Sequence, residues 1–435
     1  MTRVFRKAMI AALFLLLLLL GGCQAASIDQ YFSLPQPAEE YLQLQSLLDE
    51  EIASGWEYAA PTGGNYRQAI QLIDLDHDNS KEAVAFLRDA SHNMKINIYR
   101  VMRGSYVPAL TIPGDGSSVG SVEFADLSGD DFCEMTVSWQ IGTELRMLTV
   151  YRLEGWVGDP LFTTSCTEYL LSDLTGDSRQ DIVTISCSGL GERATGLISF
   201  HRDYETETYS APLSYGVSEL KRIRTVSLQS GENAVLVESI CEDGSLVSDL
   251  FARRGDKFFN ITLDKSINLS VTARNYAVFA TDIDNDGVLE IPEPIALYSP
   301  LGAGSYWIIS WVGYMLSGES VEKMKTYHSF ADGWFFELPE KWCADLTVRR
   351  QDEQFGERSV VLATIDSSTG KITDKLIIYT LTGENRAERA TQGRRFVLGE
   401  AESSVFSAEI LGDISEKSVR ESFHIIYTEW SSGSV

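Results

Sequence analysis

Positive charge, histidine, cysteine and catalytic signatures are all scarce in this chain. Lys and Arg number 36 against 62 Asp and Glu, giving a formal net charge of −26 over 435 residues. That balance argues against nucleic acid or an anionic lipid surface as partner, since either requires a cationic face. The five histidines, His77, His92, His201, His328 and His424, are scattered, with no HExxH and no pair at metal-ligand spacing. No P-loop or dinucleotide fingerprint occurs. Beyond the N-terminal segment, Cys133, Cys166, Cys187, Cys241 and Cys343 form an odd set without CxxC. They indicate neither a zinc site nor a dense disulfide framework. One bridge such as Cys166–Cys187, or buried free thiols, fits the count. The GxSxG match at Gly116–Gly120 is followed by a strand, Ser121 to Ala125, where a nucleophile elbow needs a helix, so it reads as chance.

What is present begins with the layout of an export signal. Arg3, Arg6 and Lys7 precede the apolar run Ala8 to Leu20, which ends in Leu20-Gly21-Gly22-Cys23. The run falls short of the ~20 residues that span a bilayer. Its end resembles the bacterial lipobox. That resemblance implies cleavage before Cys23, acylation of Cys23, and attachment at the outer face of the cell membrane, with the membrane as a partner through the lipid. Two or three acyl chains anchor stably where one does not. Residues 1–22 hold three basic and no acidic groups, so cleavage takes the charge to −29. Residues 23–54 are read as a tether followed by an amphipathic helix over Pro37 to Ser54. Leu42, Leu44, Leu47, Leu48 and Ile52 lie on or near one face, and Gly55 is placed to stop it.

Residues 55–435 are dominated by a repeat. Ile73-Asp74-Leu75-Asp76-His77-Asp78 returns as Ala125-Asp126-Leu127-Ser128-Gly129-Asp130, Ser172-Asp173-Leu174-Thr175-Gly176-Asp177 and Thr281-Asp282-Ile283-Asp284-Asn285-Asp286. The first acids are 52, 47 and 109 residues apart, the last interval being two periods. The missing copy falls near 225–237, where Thr225 to Leu228 and Ala234 to Val237 keep both strands and lose the acids. A second column shares the period: apolar strands closing on Tyr99, Tyr151, Phe200 and Phe251, with Tyr379 completing the set.

The strands are four or five residues long, rich in Val, Ile, Tyr and Phe, and separated by Gly, Asn, Asp and Ser. Four short strands per fifty residues describe a blade of an all-β β-propeller. Continuous runs such as Val360-Val361-Leu362-Ala363 fit sheets buried on both faces. Blades near 74, 126, 173, 228 and 282 are followed by a sixth that includes Leu346 to Val348 and Val360 to Ala363. Val405 to Leu411 and Phe423 to Tyr427 supply part of a seventh. Trp56 to Ala60 is expected to complete it and close the ring. Seven blades is the reading; six or eight also fit. Trp307, Trp311, Trp334 and Trp342 are expected in blade cores, with stacking on sugar rings as the other reading.

The acidic loops carry the chemistry. Counting from the first Asp, side-chain oxygens fall at positions 1, 3, 5 and 9, and position 7 adds a carbonyl. The sets are Asp74, Asp76, Asp78, Ser80 and Glu82; Asp126, Ser128, Asp130, Phe132 and Glu134; Asp173, Thr175, Asp177, Arg179 and Asp181; and Asp282, Asp284, Asp286, Val288 and Glu290. Calcium takes six to eight hard oxygens in such an arrangement. Position 6 must bend sharply, which Gly287 and Asn79 suit better than Asp131 or Ser178. Calcium is therefore expected above all at the loops starting at Asp282 and Asp74. Position 12 of the last loop is Glu293, as in an EF-hand. An EF-hand needs helices on both sides, whereas Tyr276 to Ala280 reads as strand and Pro292 and Pro294 forbid an exiting helix.

Acidic loops between short strands resemble FG-GAP/VCBS repeats, the kind found in integrin α-subunit propellers. The resemblance covers residues about 66–320; the family's Phe-Gly and Gly-Ala-Pro signatures are mostly absent. It implies calcium that braces blades and a ligand-binding face elsewhere. The leading expectation is a non-catalytic cell-surface module that binds a protein or glycan. A carbohydrate-active enzyme on the same scaffold, a polysaccharide lyase or hydrolase, is the alternative; an envelope assembly scaffold is a third.

Overall fold

The computed structural model describes residues 39–426, apart from 143–145, 189–194, 202–208, 276–277 and 298–305. Cys23, with the segments expected to form a signal and a tether, lies outside the described residues. The chain divides into two units: residues 39–60, 69–74 and 78–113 in one, and 61–68, 75–77 and 114–426 in the other. It is mostly strand, arranged in several antiparallel sheets.

In the first unit, the helix Glu39–Ala53 buries Leu44 and Leu48 against Ala83, Ala85, Tyr99 and Tyr106, with Leu47 partly covered. This i, i+3, i+4 triplet is the whole buried stripe. Leu42 and Ile52, expected on the same face, are 49% and 38% exposed. Leu42 is two residues from Leu44, about 200° round the helix, and Ile52 falls in the last turn. Gly55 ends the helix at a φ of +98° that side chains resist.

Sheet one contains Glu82–Asp89, Met94–Met102 and Ser105–Pro113 in sequence order. Two short strands share the outer edge of Glu82–Asp89. Ile70–Ile73 pairs with Glu82 to Ala85, and Trp56–Tyr58 pairs with Leu87 to Asp89. Among the described residues Trp56–Tyr58 pairs here and not, as expected, with the C-terminal strands. Ile70–Ile73 is too short to cover its neighbour, and the exposed backbone groups of Leu87 to Asp89 recruit the nearest free strand. Lys95 over the Trp56 ring at 3.9 Å and an Arg88–Glu57 ion pair at 2.7 Å hold it there.

The second unit repeats one pattern, four strands in sequence order. Sheet two runs Ser118–Ala125, Glu134–Gln140, Arg146–Arg152, Asp159–Cys166; sheet three, Glu168–Ser172, Asp181–Ser188, Thr195–His201, Tyr209–Pro212. Sheet four runs Val217–Ser227, Asn233–Cys241, Leu246–Arg254, Lys257–Asn260. Its first two strands meet at Ser227 and Asn233 across a short turn, so the degenerate fourth copy keeps its strands and loses its loop as expected. Sheet five runs Glu290–Ala296, Trp307–Tyr314, Ser320–Ser329, Trp334–Glu337, and sheet six begins Leu346–Gln354, Glu357–Ile365, Ile372–Thr382. Neighbouring sheets share cores. Leu148, Val150 and Ile182 join sheets two and three, and Val183, Val235 and Phe251 join three and four. Leu236, Ile291 and Val312 join four and five, and Trp334, Val348 and Phe406 join five and six. Burial on both faces explains the apolar runs: Val360 to Ala363 is wholly buried.

Among the described residues there are six sheets of four or five strands and one two-stranded ladder, Leu263–Asp264 with Leu269–Ser270. Among the described residues no seventh sheet of four strands is formed. Ser404–Ile410 pairs with Ile372–Thr382 inside sheet six, and Phe423–Ile425 joins the Trp334–Glu337 edge of sheet five. Both additions cover open edges and bury aromatic surface, Phe423 lying 5.8 Å from Trp334 and 5.5 Å from Phe406 between ring centroids. Trp311, Trp334 and Trp342 are core residues as expected; Trp307, at the first position of its strand, is 39% exposed. The five described cysteines are free thiols, so no Cys166–Cys187 bridge is made. Tyr99, Tyr151, Phe251 and Tyr379 are buried on their sheets, while the side chain of Phe200 falls outside the description.

One polar contact is buried deeply enough to matter to the whole. Arg274 and Glu238, 3% and 0% exposed in their side chains, meet at 3.3 Å. Arg274 also donates to the carbonyls of Val278 and Thr272, and Glu238 accepts from Ser248 Oγ and the Ala280 N–H. The pair thus ties Thr272, Val278 and Ala280 to sheet four. Arg274→Ala would leave Glu238 charged and unpaired in the interior, which costs about 3–5 kcal/mol. Denaturant unfolding of the variant is expected to show that loss, with most of it recovered in Arg274→Met/Glu238→Leu; an unchanged midpoint in the single variant would refute the role given to the pair.

Candidate functional site

The four acidic loops share one register. Each spans the eight residues between a first-strand residue and its partner: Ile73↔Glu82, Ala125↔Glu134, Ser172↔Asp181 and, as an isolated bridge, Thr281↔Glu290. The sixth residue has positive φ in every loop: Asn79 70°, Asp131 65°, Ser178 70° and Gly287 86°. So does the fourth: His77 54°, Gly129 81°, Gly176 76° and Asn285 60°. The bend at position 6 was readable from calcium geometry. The bend at position 4 was not, although Gly or Asn at three of four copies is its signal.

The side chains close the turn on itself. The carboxylate at position 1 accepts the N–H of position 6 in all four loops, at 3.1 Å (Asn79 to Asp74), 3.0 Å (Asp131 to Asp126), 2.8 Å (Ser178 to Asp173) and 2.8 Å (Gly287 to Asp282). The carboxylate at position 5 accepts the N–H of position 7, from Ser80, Phe132, Arg179 and Val288 to Asp78, Asp130, Asp177 and Asp286. At position 2 an aliphatic residue, Leu75, Leu127, Leu174 or Ile283, is buried. Position 9, Glu82, Glu134, Asp181 or Glu290, opens the next strand and is also buried. In three loops its carboxylate accepts the N–H of position 2, from Leu127, Leu174 and Ile283. Sequence reasoning assigned position 9 as a ligand and missed its grip on position 2.

Two of the loops bring three carboxylates together. Ligand oxygens of Asp74, Asp76 and Asp78 lie within 4.8 Å of one another, and so do those of Asp282, Asp284 and Glu290. These clusters could hold a metal ion. An independent sign is a buried oxygen in each without a hydrogen-bond partner, Asp74 Oδ1 and Glu290 Oε1. Such an acceptor stripped of water costs about 1–3 kcal/mol unless a cation or donor meets it. Asp286 stands apart: its Oδ2 is taken by Lys323 Nζ at 2.7 Å, a contact that holds its pKa below the usual carboxylate value.

In the loops at 126 and 173 no such trio is found among the described residues. A guanidinium stands there. Arg179 donates to Asp177 Oδ2 at 3.2 Å and to the Ser128 carbonyl at 3.3 Å, linking the two loops. Gly129 makes room, since a Cβ at that position would lie 3.0 Å from Arg179 Cδ. Arg179 entered the sequence analysis only as a carbonyl; its side chain is the more informative part.

The flanks of the last loop are not those of an EF-hand. Residues 279–280 are in no named element, Thr281 bridges Glu290, and Glu290–Ala296 is a strand in which Glu293 faces Ser310. The expected strand over Tyr276 to Ala280 falls partly outside the description, and its described part is irregular. Pro292 and Pro294 are tolerated because this strand has only one full neighbour.

Burial pushes the Glu290 carboxyl up to about 7, and the nearby Asp284 and Asp286 charges push the same way. The folded value thus exceeds the ordinary 4.5, so the folded chain binds the extra proton between those limits. Without a metal, its contribution to stability is present below about pH 4.5 and is lost as pH rises to 7. In chelator, thermal melting should fall from pH 5 to pH 7.5, and Glu290→Gln should flatten that slope and raise the melting temperature at pH 7.5. A slope unaffected by Glu290→Gln would show that other groups set it.

Comparison of the sequence with protein-family models and with curated proteins finds no match. Among solved structures, the chain is similar to a Bacteroides fragilis protein assigned as a 6-phosphogluconolactonase. The similarity covers 73% of this chain and 92% of that one, at 8% identity and a TM-score of 0.26.

Proposed function

We propose that this chain is a calcium-braced β-propeller, held by a lipid on Cys23 at the outer face of the cell membrane, that binds a protein or glycan without turning it over. The observation that carries the reading is the loop geometry. The same eight-residue turn recurs between consecutive strands, and in two copies three carboxylates and a partnerless buried oxygen converge. Six sheets, five of them sharing cores in chain order, suit a propeller. Asp282, Asp284 and Glu290, and Asp74, Asp76 and Asp78, would hold the ions. Calcium is the cation that matches an all-oxygen set on a flexible turn. Its chemistry there is neutralisation of the converging carboxylates, which fixes the ends of the strands. A rigid sheet stack on a membrane anchor suits display of a binding surface.

Calorimetry on the purified protein is expected to show calcium uptake, with stabilisation of about 2.7 kcal/mol at 100-fold excess over Kd per site. Asp284→Asn should weaken one site and leave the other. Absence of heat together with a chelator-insensitive melting curve would overturn the calcium reading. Cys23→Ala is expected to move the protein from the membrane fraction to the soluble one; retention at the membrane would overturn the anchor. Capture on a glycan or protein array with no release of reducing ends separates a binding module from a carbohydrate-active enzyme.

A further inference from the structure

A cavity of about 780 Å³ lies wholly within the second unit. It runs along Ser118–Ala125 and Glu168–Ser172, the first strands of sheets two and three, and residues 62–65 line its side. That volume falls in the range of small-molecule sites, ~300–1,000 Å³. The bounding segment lies flat on its neighbour. The Thr62 N–H donates to the Val119 carbonyl at 3.0 Å and the Gly63 N–H to the Gly120 carbonyl at 2.6 Å. A Cβ on Gly63 would sit 3.2 Å from the Gly120 oxygen, and one on Gly64, at φ +74°, 3.0 Å from Ser121 Cβ. Main chain, with its donors and acceptors, therefore bounds the cavity on this side.

The charges of the lining do not balance. Arg146 and Glu168 satisfy one another at 2.7 Å. Ser121 and Tyr169 share a hydrogen bond at 3.0 Å. Glu123 is half-buried and has no ion-pair or hydrogen-bond partner among the described residues. Its burial raises its pKa with nothing to oppose the shift. A carboxylate desolvated in this way is best met by a cation carried on a ligand. The remaining polar lining includes Asn65 and Gln180, amides that both donate and accept, as the hydroxyls of a sugar require. Phe124, held edge-on by Tyr66 at 5.1 Å, adds an aromatic residue to the lining.

We infer that this cavity binds an amino sugar, its ammonium on Glu123 and its hydroxyls on the surrounding amides. The inference rests on reading the protein as a binding module and names the ligand class and the site. A lysine side chain would supply the ammonium but leave the amides and hydroxyls unmatched.

The test is titration calorimetry on the full chain in detergent with calcium present, using a β-1,4-linked glucosamine trimer, its fully N-acetylated counterpart and tetralysine. The glucosamine trimer is expected to bind at least tenfold more tightly than either. Glu123→Gln should reduce that binding at least tenfold while leaving the melting temperature unchanged or higher, because it removes an unpaired half-buried charge. Tyr169→Phe should keep the fold and weaken binding by a few fold. Equal affinity for the two trimers, full affinity in Glu123→Gln, tighter binding of tetralysine, or no heat from the glucosamine trimer would each overturn the assignment. If another glycan or a protein is still captured on the array, the site assignment fails while the binding-module reading stands; if nothing is captured, both fail.

Discussion

A buried carboxylate at the start of a strand is the constraint on which the rest depends. Glu134, Asp181 and Glu290 each reach back to the second residue of the preceding turn and accept its N–H. That bond fixes the length of the loop, pulls an aliphatic side chain into the space between sheets, and aligns the first and second strands. It also strips an acid of water in a chain whose net charge is −26. Every other feature of the loops can be read as a response to that cost.

The copies respond differently. In the loop at 282 a second oxygen of the buried acid is left without a donor while two aspartates converge on it, which is the condition a divalent cation relieves. Lys323 neutralises a third aspartate from outside. Between the loops at 126 and 173, Arg179 provides positive charge from within the protein and joins the two turns directly. In sheet four the acids are gone and a short turn suffices. In the four acidic loops one backbone shape is thus kept with different charge partners, because the shape is set by the turn's own hydrogen bonds and the charge only has to be balanced.

The sheets impose a second constraint. Their second strands are buried on both faces almost throughout, and the sheets' open edges are hazardous. The chain covers edges with whatever segment is nearest: Trp56–Tyr58 on sheet one, Ser404–Ile410 in sheet six, Phe423–Ile425 on sheet five. These local solutions replace the extra sheet that strand counting suggested. The first strands of sheets two and three are only half-buried and keep polar side chains along the cavity, and there lies Glu123, unpaired among the described residues.

The sequence by itself determined the class of fold, the fifty-residue period, the positions of the acidic turns and the fate of the degenerate copy. It could do so because alternating apolar strands and Asp-rich turns are local patterns repeated several times. The core placement of Trp311, Trp334 and Trp342 and the stop at Gly55 were also legible from composition and spacing, whereas the cysteines were left open between one bridge and free thiols. Only the tertiary structure decided which strand covers which edge, since edge pairing depends on the length of a neighbour far away in sequence. It alone placed Lys323 on Asp286 and Arg179 between two loops, and it alone separated Glu123 from sixty-one other acidic residues. A sequence lists charges, and which of them is desolvated and unanswered is settled by what folds around it.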